Sequence, residues 1–232
     1  MCGRFVAAAT PDDVAAYFDA VAPDALIEPS WNVAPTDDVY AVTHEGDDRR
    51  MEGYHWGLVP AWADSPKVGA RMINARAETL ADKSAFRIAF RKRRCLVPAD
   101  GFYEWRRTDE APRRGRRPRY FHLASGEPMA FAGLWALWKS PSGDWLRSST
   151  IVTTAANEAI ADLHDRMPVI LPASAWDAWL DPGLDDLDLL SGLLVPVPAA
   201  LIASYEVNAD VNNVRNQGPQ LIEPAAPETL FG

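Results

Sequence analysis

The chain has 232 residues, 48% apolar and 10% aromatic, with nine tryptophans, which supports a real hydrophobic core and excludes a disordered polymer. Two cysteines, Cys2 and Cys95, exclude a disulfide framework and make a reducing cytoplasm the expected setting. The formal net charge is −9, yet residues 87–119 carry twelve Arg and Lys against four Asp and Glu. The first predicted helix covers 11–22, with Thr10 as N-cap, Pro11 at the first helical position and Asp12 and Asp13 near its positive end. Strand-like runs follow at 39–44, 53–60, 94–99, 101–106, 119–124, 129–138 and 148–154. Further helices are expected at 84–92, with Ser84 as cap, at 156–164 and at 173–180. Strands dominate the middle and helices the flanks, so the expected fold class is α+β with a mixed, barrel-like sheet.

One domain is expected over 1–232, since no repeat or long Gly/Ser linker divides it. The tail 224–232 reads as flexible. The basic island could draw an anionic polymer, or RRTDEAPRRGRRPR (106–119) could be a solvated, exposed loop. Arg outnumbers Lys nineteen to four and Asp outnumbers Glu twenty-one to eleven, which suits a high-salt cytoplasm, although GC-rich coding produces the same bias. The apolar stretch 189–203 is short and holds two prolines, and the N-terminus lacks a basic segment before an apolar run. Neither a membrane span nor a secretory signal is expected.

Four segments carry chemistry: MCGRF (1–5), MINARAET (72–79), LVPADGFYEW (96–105) and LHDRMPVIL (163–171). Glu104, between Tyr103 and Trp105, either faces solvent by alternation, the favoured reading, or is buried and paired. His164 falls in the last turn of a predicted helix, where the helix end favours imidazolium, or it is a simple cap. Asn74 could be a turn residue. The two Cys and four His show no metal-ligand spacing, so no metal is expected. Cys2 becomes distinctive once Met1 is removed. It then carries a thiol and an α-amine of pKa about 7.7–8.0, far below lysine. Such an amine attacks an aldehyde to give an imine, and the neighbouring thiol closes on the imine carbon as a thiazolidine ring. In nucleic acid the aldehyde would be the ring-opened sugar of an abasic site.

Taken together, MCGRF, WNVAPT, WGLVPAWA, INARAET, AFRKRRCLVPADGFYEW, FAGLWALW, TTAANEAIADLHDRMPVIL and VNNVRN resemble the SOS response-associated peptidase (SRAP) family, from residue 2 to about 222. The resemblance implies a single α+β domain with a barrel-like core. It implies that abasic sites in single-stranded DNA are sensed and crosslinked through an exposed N-terminal cysteine, with autopeptidase removal of Met1 and reversal of the crosslink as accompanying activities. The matching positions are Cys2 as nucleophile, Asn74, Glu104 and His164. By chemistry, Glu104 would move protons around the amine, His164 would protonate the sugar oxygen, and Asn74 would orient amine or sugar. Arg4, Arg71 and Arg76 would hold phosphates, and Asn32 and Pro35 would line the approach. Trp56, Trp62 or Met167 would stack on or wedge between bases, with core packing the favoured role for Trp56. The implied partner is single-stranded DNA with abasic sites, bound by a cytoplasmic monomer without cofactor or membrane; replication proteins as partners are not legible. Val214 stands where the family commonly has proline. Two rivals are a thiol hydrolase built on Cys2 with His164, and a non-catalytic single-strand binding module.

Overall fold

The computed structural model describes residues 2–46, 48–105 and 117–226, so most of the basic loop 106–119 and the end of the tail lie outside it. Strand β1 (Phe5–Ala7) leads into helix α1 (Pro11–Tyr17), where the Thr10 hydroxyl accepts from the Asp13 N–H at 3.2 Å. The cap is where the sequence placed it. The helix stops earlier than 22, because Asp19 takes a left-handed φ of 50° and the chain turns into the short strand β2 (Ala20–Val21).

Strands β3 (Ser30–Val33), β4 (Asp38–Glu45) and β5 (Asp48–Trp56) come next. The run expected at 53–60 ends at Trp56. Gly57 has φ 142°, and a Cβ there would lie 2.7 Å from the carbonyl oxygen of Gly69, so only glycine permits this close crossing. After β6 (Asn74–Arg76) the helix α2 (Arg87–Lys92) begins later than expected. Its N-cap position is Phe86, without a side-chain bond, and Ser84 does not cap it. The backbone N–H groups of Phe86 and Arg87 are already taken by the carbonyl of Lys83, at 2.9 Å each.

Strands β7 (Arg94–Ala99), β8 (Gly101–Trp105), β9 (Pro118–Leu123), β10 (Met129–Lys139) and β11 (Trp145–Ala155) match the expected runs closely. The segment expected as a helix at 156–164 is a series of turns, with Ala161 and His164 N–H groups bonded to Asn157 and Ile160 carbonyls. It leads into β12 (Arg166–Pro168). A 3-10 turn (Ala173–Ala175) and helix α3 (Trp176–Leu180) replace the single helix read at 173–180. Helix α4 (Leu187–Gly192) and strand β13 (Ile202–Glu206) complete the regular elements used below.

Five strands close on themselves. The order β11-β10-β7-β4-β5 is antiparallel throughout, and β5 returns to β11 in parallel through the pairs His55 with Ser148 and Trp56 with Ser149. Closure removes exposed sheet edges along this path. A second, antiparallel sheet runs β13-β9-β8-β1-β3. One apolar core packs the barrel against the helices, with Phe18, Phe90, Trp176 and Trp179. Another joins the two sheets, taking Phe5, Phe102 and Phe121 from one and Trp56, Phe131 and Ile151 from the other. Cys2 belongs to this second core. The fold is thus α+β and barrel-like, as the sequence indicated. Among the described residues no helix is long and apolar enough to cross a membrane.

Candidate functional site

The N-terminal strand is held along its whole length. The Tyr103 N–H donates to the Arg4 carbonyl at 3.1 Å, Phe5 pairs with Phe102, and the Ala8 and Ala9 N–H groups donate to Asp100 Oδ2 at 2.6 and 3.1 Å. This clamp sets where Cys2 lies. The Cys2 carbonyl accepts from Asn74 Nδ2 at 2.8 Å, and Asn74 can reach it because β6 adds in parallel to β11, pairing Asn74 with Ile151. Asn74 is therefore a strand residue, not a turn residue. Its Oδ1 is buried and has no hydrogen-bond partner among the described residues.

Glu104 comes to the same place from β8. It is 4% exposed, which corrects the favoured solvent-facing reading. Alternation fails because β8 is covered on both faces: Phe102 enters the core that holds Cys2, whereas Tyr103 enters a third cluster with Val6 and Val211. Glu104 shares the Phe102 face, and its charge acts on Cys2. Burial pushes the Cys2 thiol far above the usual thiol range, and the Glu104 carboxylate raises it further. Cys2 has no exposed surface, contrary to the exposed cysteine implied by the family resemblance. A strand that packs on Trp56 and Phe131 draws its own first residues inside.

His164 stands at the end of the 157–163 turns, whose Ile160 and Leu163 pack in the Cys2 core. With no helix there, the expected helix-end field is lost as an argument for imidazolium. Its side chain is 12% exposed, and Nδ1 lies 2.9 Å both from the Arg166 backbone N–H and from Asp165 Oδ1. One ring nitrogen cannot accept from the first and donate to the second at once. The backbone donor is fixed by β12, whereas Asp165 is 71% exposed, so the geometry favours Nδ1 as acceptor. The proton of the neutral ring is then on Nε2.

The remaining positions divide sharply. Asn32 is fully buried and donates to the carbonyls of Val211, Asn213 and Asn216, while its Oδ1 accepts from Arg4 Nη1 at 2.5 Å. Arg4 also donates to the Val211 carbonyl at 3.0 Å and lies over the Trp105 ring. Both residues anchor the 211–216 loop, which contains Val214, and are spent on internal bonds. Trp56 is fully buried, with Nε1 donating to the Ile73 carbonyl at 2.9 Å, so it offers no face to a base. Met167 is also fully buried, its sulfur accepting from the Asn157 N–H, and cannot act as a wedge. Arg71, Arg76 and Trp62 are exposed, Trp62 at 61%, and Pro35 sits half-buried in the turn after β3. Arg94, from the basic island, is buried and bonded to the carbonyls of Phe90, Arg91, Trp179, Asp181 and Leu184, so it is structural.

Two residues in the quoted motifs went unread. Arg166 donates to Glu78 through both terminal nitrogens, at 2.6 and 2.9 Å, and to the Thr153 carbonyl. Opposite charges within INARAET and HDRMP were the available signal, but no sequence spacing pairs positions 78 and 166. Among the described residues no cluster of His, Cys, Asp and Glu suits a metal ion.

The family model described as SOS response associated peptidase (SRAP) matches residues 1–214. The abasic site processing protein YoqW of Bacillus subtilis is 42% identical over 96% of this chain and 99% of its own. The abasic site processing protein YedK of Escherichia coli is 31% identical over 97% of this chain and all of its own. A crystal structure of a protein from Bacteroides thetaiotaomicron superposes with a TM-score of 0.85 over 97% of this chain and all of that one, at 24% identity, and supports the fold. On the family model and these relatives, the chain belongs to the SOS response associated peptidase family.

Proposed function

We propose that this protein processes abasic sites in single-stranded DNA by trapping the ring-opened sugar on Cys2 as a thiazolidine. The observation that carries the reading is the convergence of Asn74 and Glu104 on the buried first residues of the chain. The names of the relatives point to the same substrate.

The chemistry begins with loss of Met1, which frees the Cys2 α-amine. His164 gives its Nε2 proton to the sugar ring oxygen as the C1–O bond breaks, the C1 hydroxyl passes its own proton through water back to the ring nitrogen, and the C1 aldehyde forms. The amine adds to that aldehyde to give a carbinolamine. Glu104 accepts the proton that the amine loses and returns it to the departing hydroxyl, which leaves as water when the imine forms. The Cys2 thiol then adds to the imine carbon. A C–S bond forms, the thiol proton passes to the ring nitrogen by way of Glu104, and the five-membered ring is complete. Asn74 Nδ2 holds the Cys2 carbonyl, and its open Oδ1 suits an N–H of the freed amine. Ring closure is intramolecular and gains from high effective molarity.

A raised thiol suits this order of events, with the amine first and the thiol second. A thiol hydrolase needs the opposite shift, toward thiolate. Because Cys2 has no exposed surface, capture requires the chain end to open as well as the amine to be freed. Intact mass spectrometry before and after incubation with abasic single-stranded DNA tests the proposal. Loss of one methionine followed by a heat-stable adduct on Cys2 is expected. A retained methionine in protein that still forms the adduct overturns the amine-based route.

A further inference from the structure

Strand β11 is bordered on one edge by β6, which carries Asn74, and on the other by β12, which follows His164. Thr153 is the crossing point: it pairs with Arg76 on one side and with Pro168 on the other. Arg166 spans this strand. Its side chain, 12% exposed, reaches across to Glu78, makes two parallel hydrogen bonds and adds a third to the Thr153 carbonyl. A bidentate guanidinium–carboxylate pair fixes orientation as well as distance. The same residue's backbone N–H donates to His164 Nδ1 at 2.9 Å. The carboxylate of Glu78, the side chain of Arg166, the backbone of Arg166 and the ring of His164 therefore form one chain of contacts.

We infer that Glu78 is a positioning residue for His164: through the strap to Arg166 it keeps the Arg166 N–H aimed at Nδ1 and so holds the imidazole in the Nε2-protonated tautomer. This rests on the proton-donor role given above to His164. The charged groups near the ring include Asp165, within 2.9 Å of Nδ1, and the Arg166–Glu78 pair. Without the strap, Arg166 keeps only its β12 pairing and its Thr153 bond, its N–H is aimed less firmly, and Asp165 becomes the competing partner, drawing the proton to Nδ1. The donor would then stand on the wrong nitrogen.

The test joins a spectroscopic readout with a rate. Nitrogen-15 spectra of the His164 ring, recorded at about pH 8 where an ordinary imidazole is neutral, should show Nδ1 unprotonated and Nε2 protonated in the intact chain. Glu78→Gln should shift the ring toward a tautomer mixture and slow crosslinking to abasic single-stranded DNA roughly tenfold, a part of the usual general-acid contribution. Glu78→Asp keeps the charge and should recover part of both signals, which a generally disturbed fold would not do. Affinity for intact single-stranded DNA should stay unchanged. Unaltered His164 signals in Glu78→Gln would overturn the inference, as would a wild-type crosslinking rate. Tighter DNA binding by that variant would also overturn it, showing that Glu78 instead screens Arg166 from phosphate. The ring spectrum needs no DNA, so failure of the trapping reaction itself would leave this measurement decisive.

Discussion

Two sets of arginine and tryptophan look alike in sequence and differ completely in the fold. Trp56 is buried and Arg4 half-buried, each tied to a backbone carbonyl, whereas Arg76 and Trp62 face outward. The inner set builds the frame that keeps Cys2 beside Asn74 and Glu104; the outer set is what a nucleic acid can touch. An arginine or tryptophan within a motif therefore says nothing about contact until its hydrogen bonds are counted.

Substitutions on both sides put that division at risk. The largest effect belongs to Cys2→Ala, which should abolish covalent capture while leaving non-covalent binding of single-stranded DNA intact in a gel-shift assay. Loss of both would mean that Cys2 serves the frame. Next, Trp56→Ala should cost about 3–5 kcal/mol of stability by denaturant unfolding. Trp62→Ala should leave unfolding unchanged and cost about 1–3 kcal/mol of DNA affinity if a base stacks there. Reversal of the two results would erase the inner–outer distinction.

Smaller effects separate the arginines. Arg76→Ala should reduce the slope of log affinity against log salt by about one unit. Arg4→Ala should leave the slope alone and lose about 1–3 kcal/mol of stability, because the buried Asn32 Oδ1 is left unsatisfied and the Val211 carbonyl loses one of its two donors. The smallest effect is acid sensitivity at the strap. Hydrogen bonds from Arg166 hold the Glu78 carboxyl below its usual value of 4.5, so its contribution is complete above that value and vanishes as pH falls through the lower folded value. Thermal melts of the parent chain and Glu78→Gln should accordingly differ at neutral pH and converge in acid.

The long strands were legible because β4, β10 and β11 are rich in β-branched and aromatic residues. The short ones were not. β6 and β12, at three residues each, carry no periodicity, and they exist because β11 offers them an edge. The turn alternative left open for Asn74 fails for that reason. Glu104 was read as solvent-facing because period-two alternation assumes one wet face, and β8 has none. The helix at 156–164 failed because its apolar residues pack into the Cys2 core from a chain of turns.

By itself the sequence determined the α+β class and the family, and named candidates for the site, since local propensity and motif chemistry are written in neighbouring positions. Only the tertiary structure decided which of them meet. Cys2, Asn74 and Glu104 come from segments far apart in the chain and are joined by barrel closure and by packing between the sheets. Burial, a property of that packing alone, turned Trp56, Met167 and Asn32 from candidate contacts into framework, and the pairing of β6 and β12 with β11 brought Glu78 and Arg166 together as a strap.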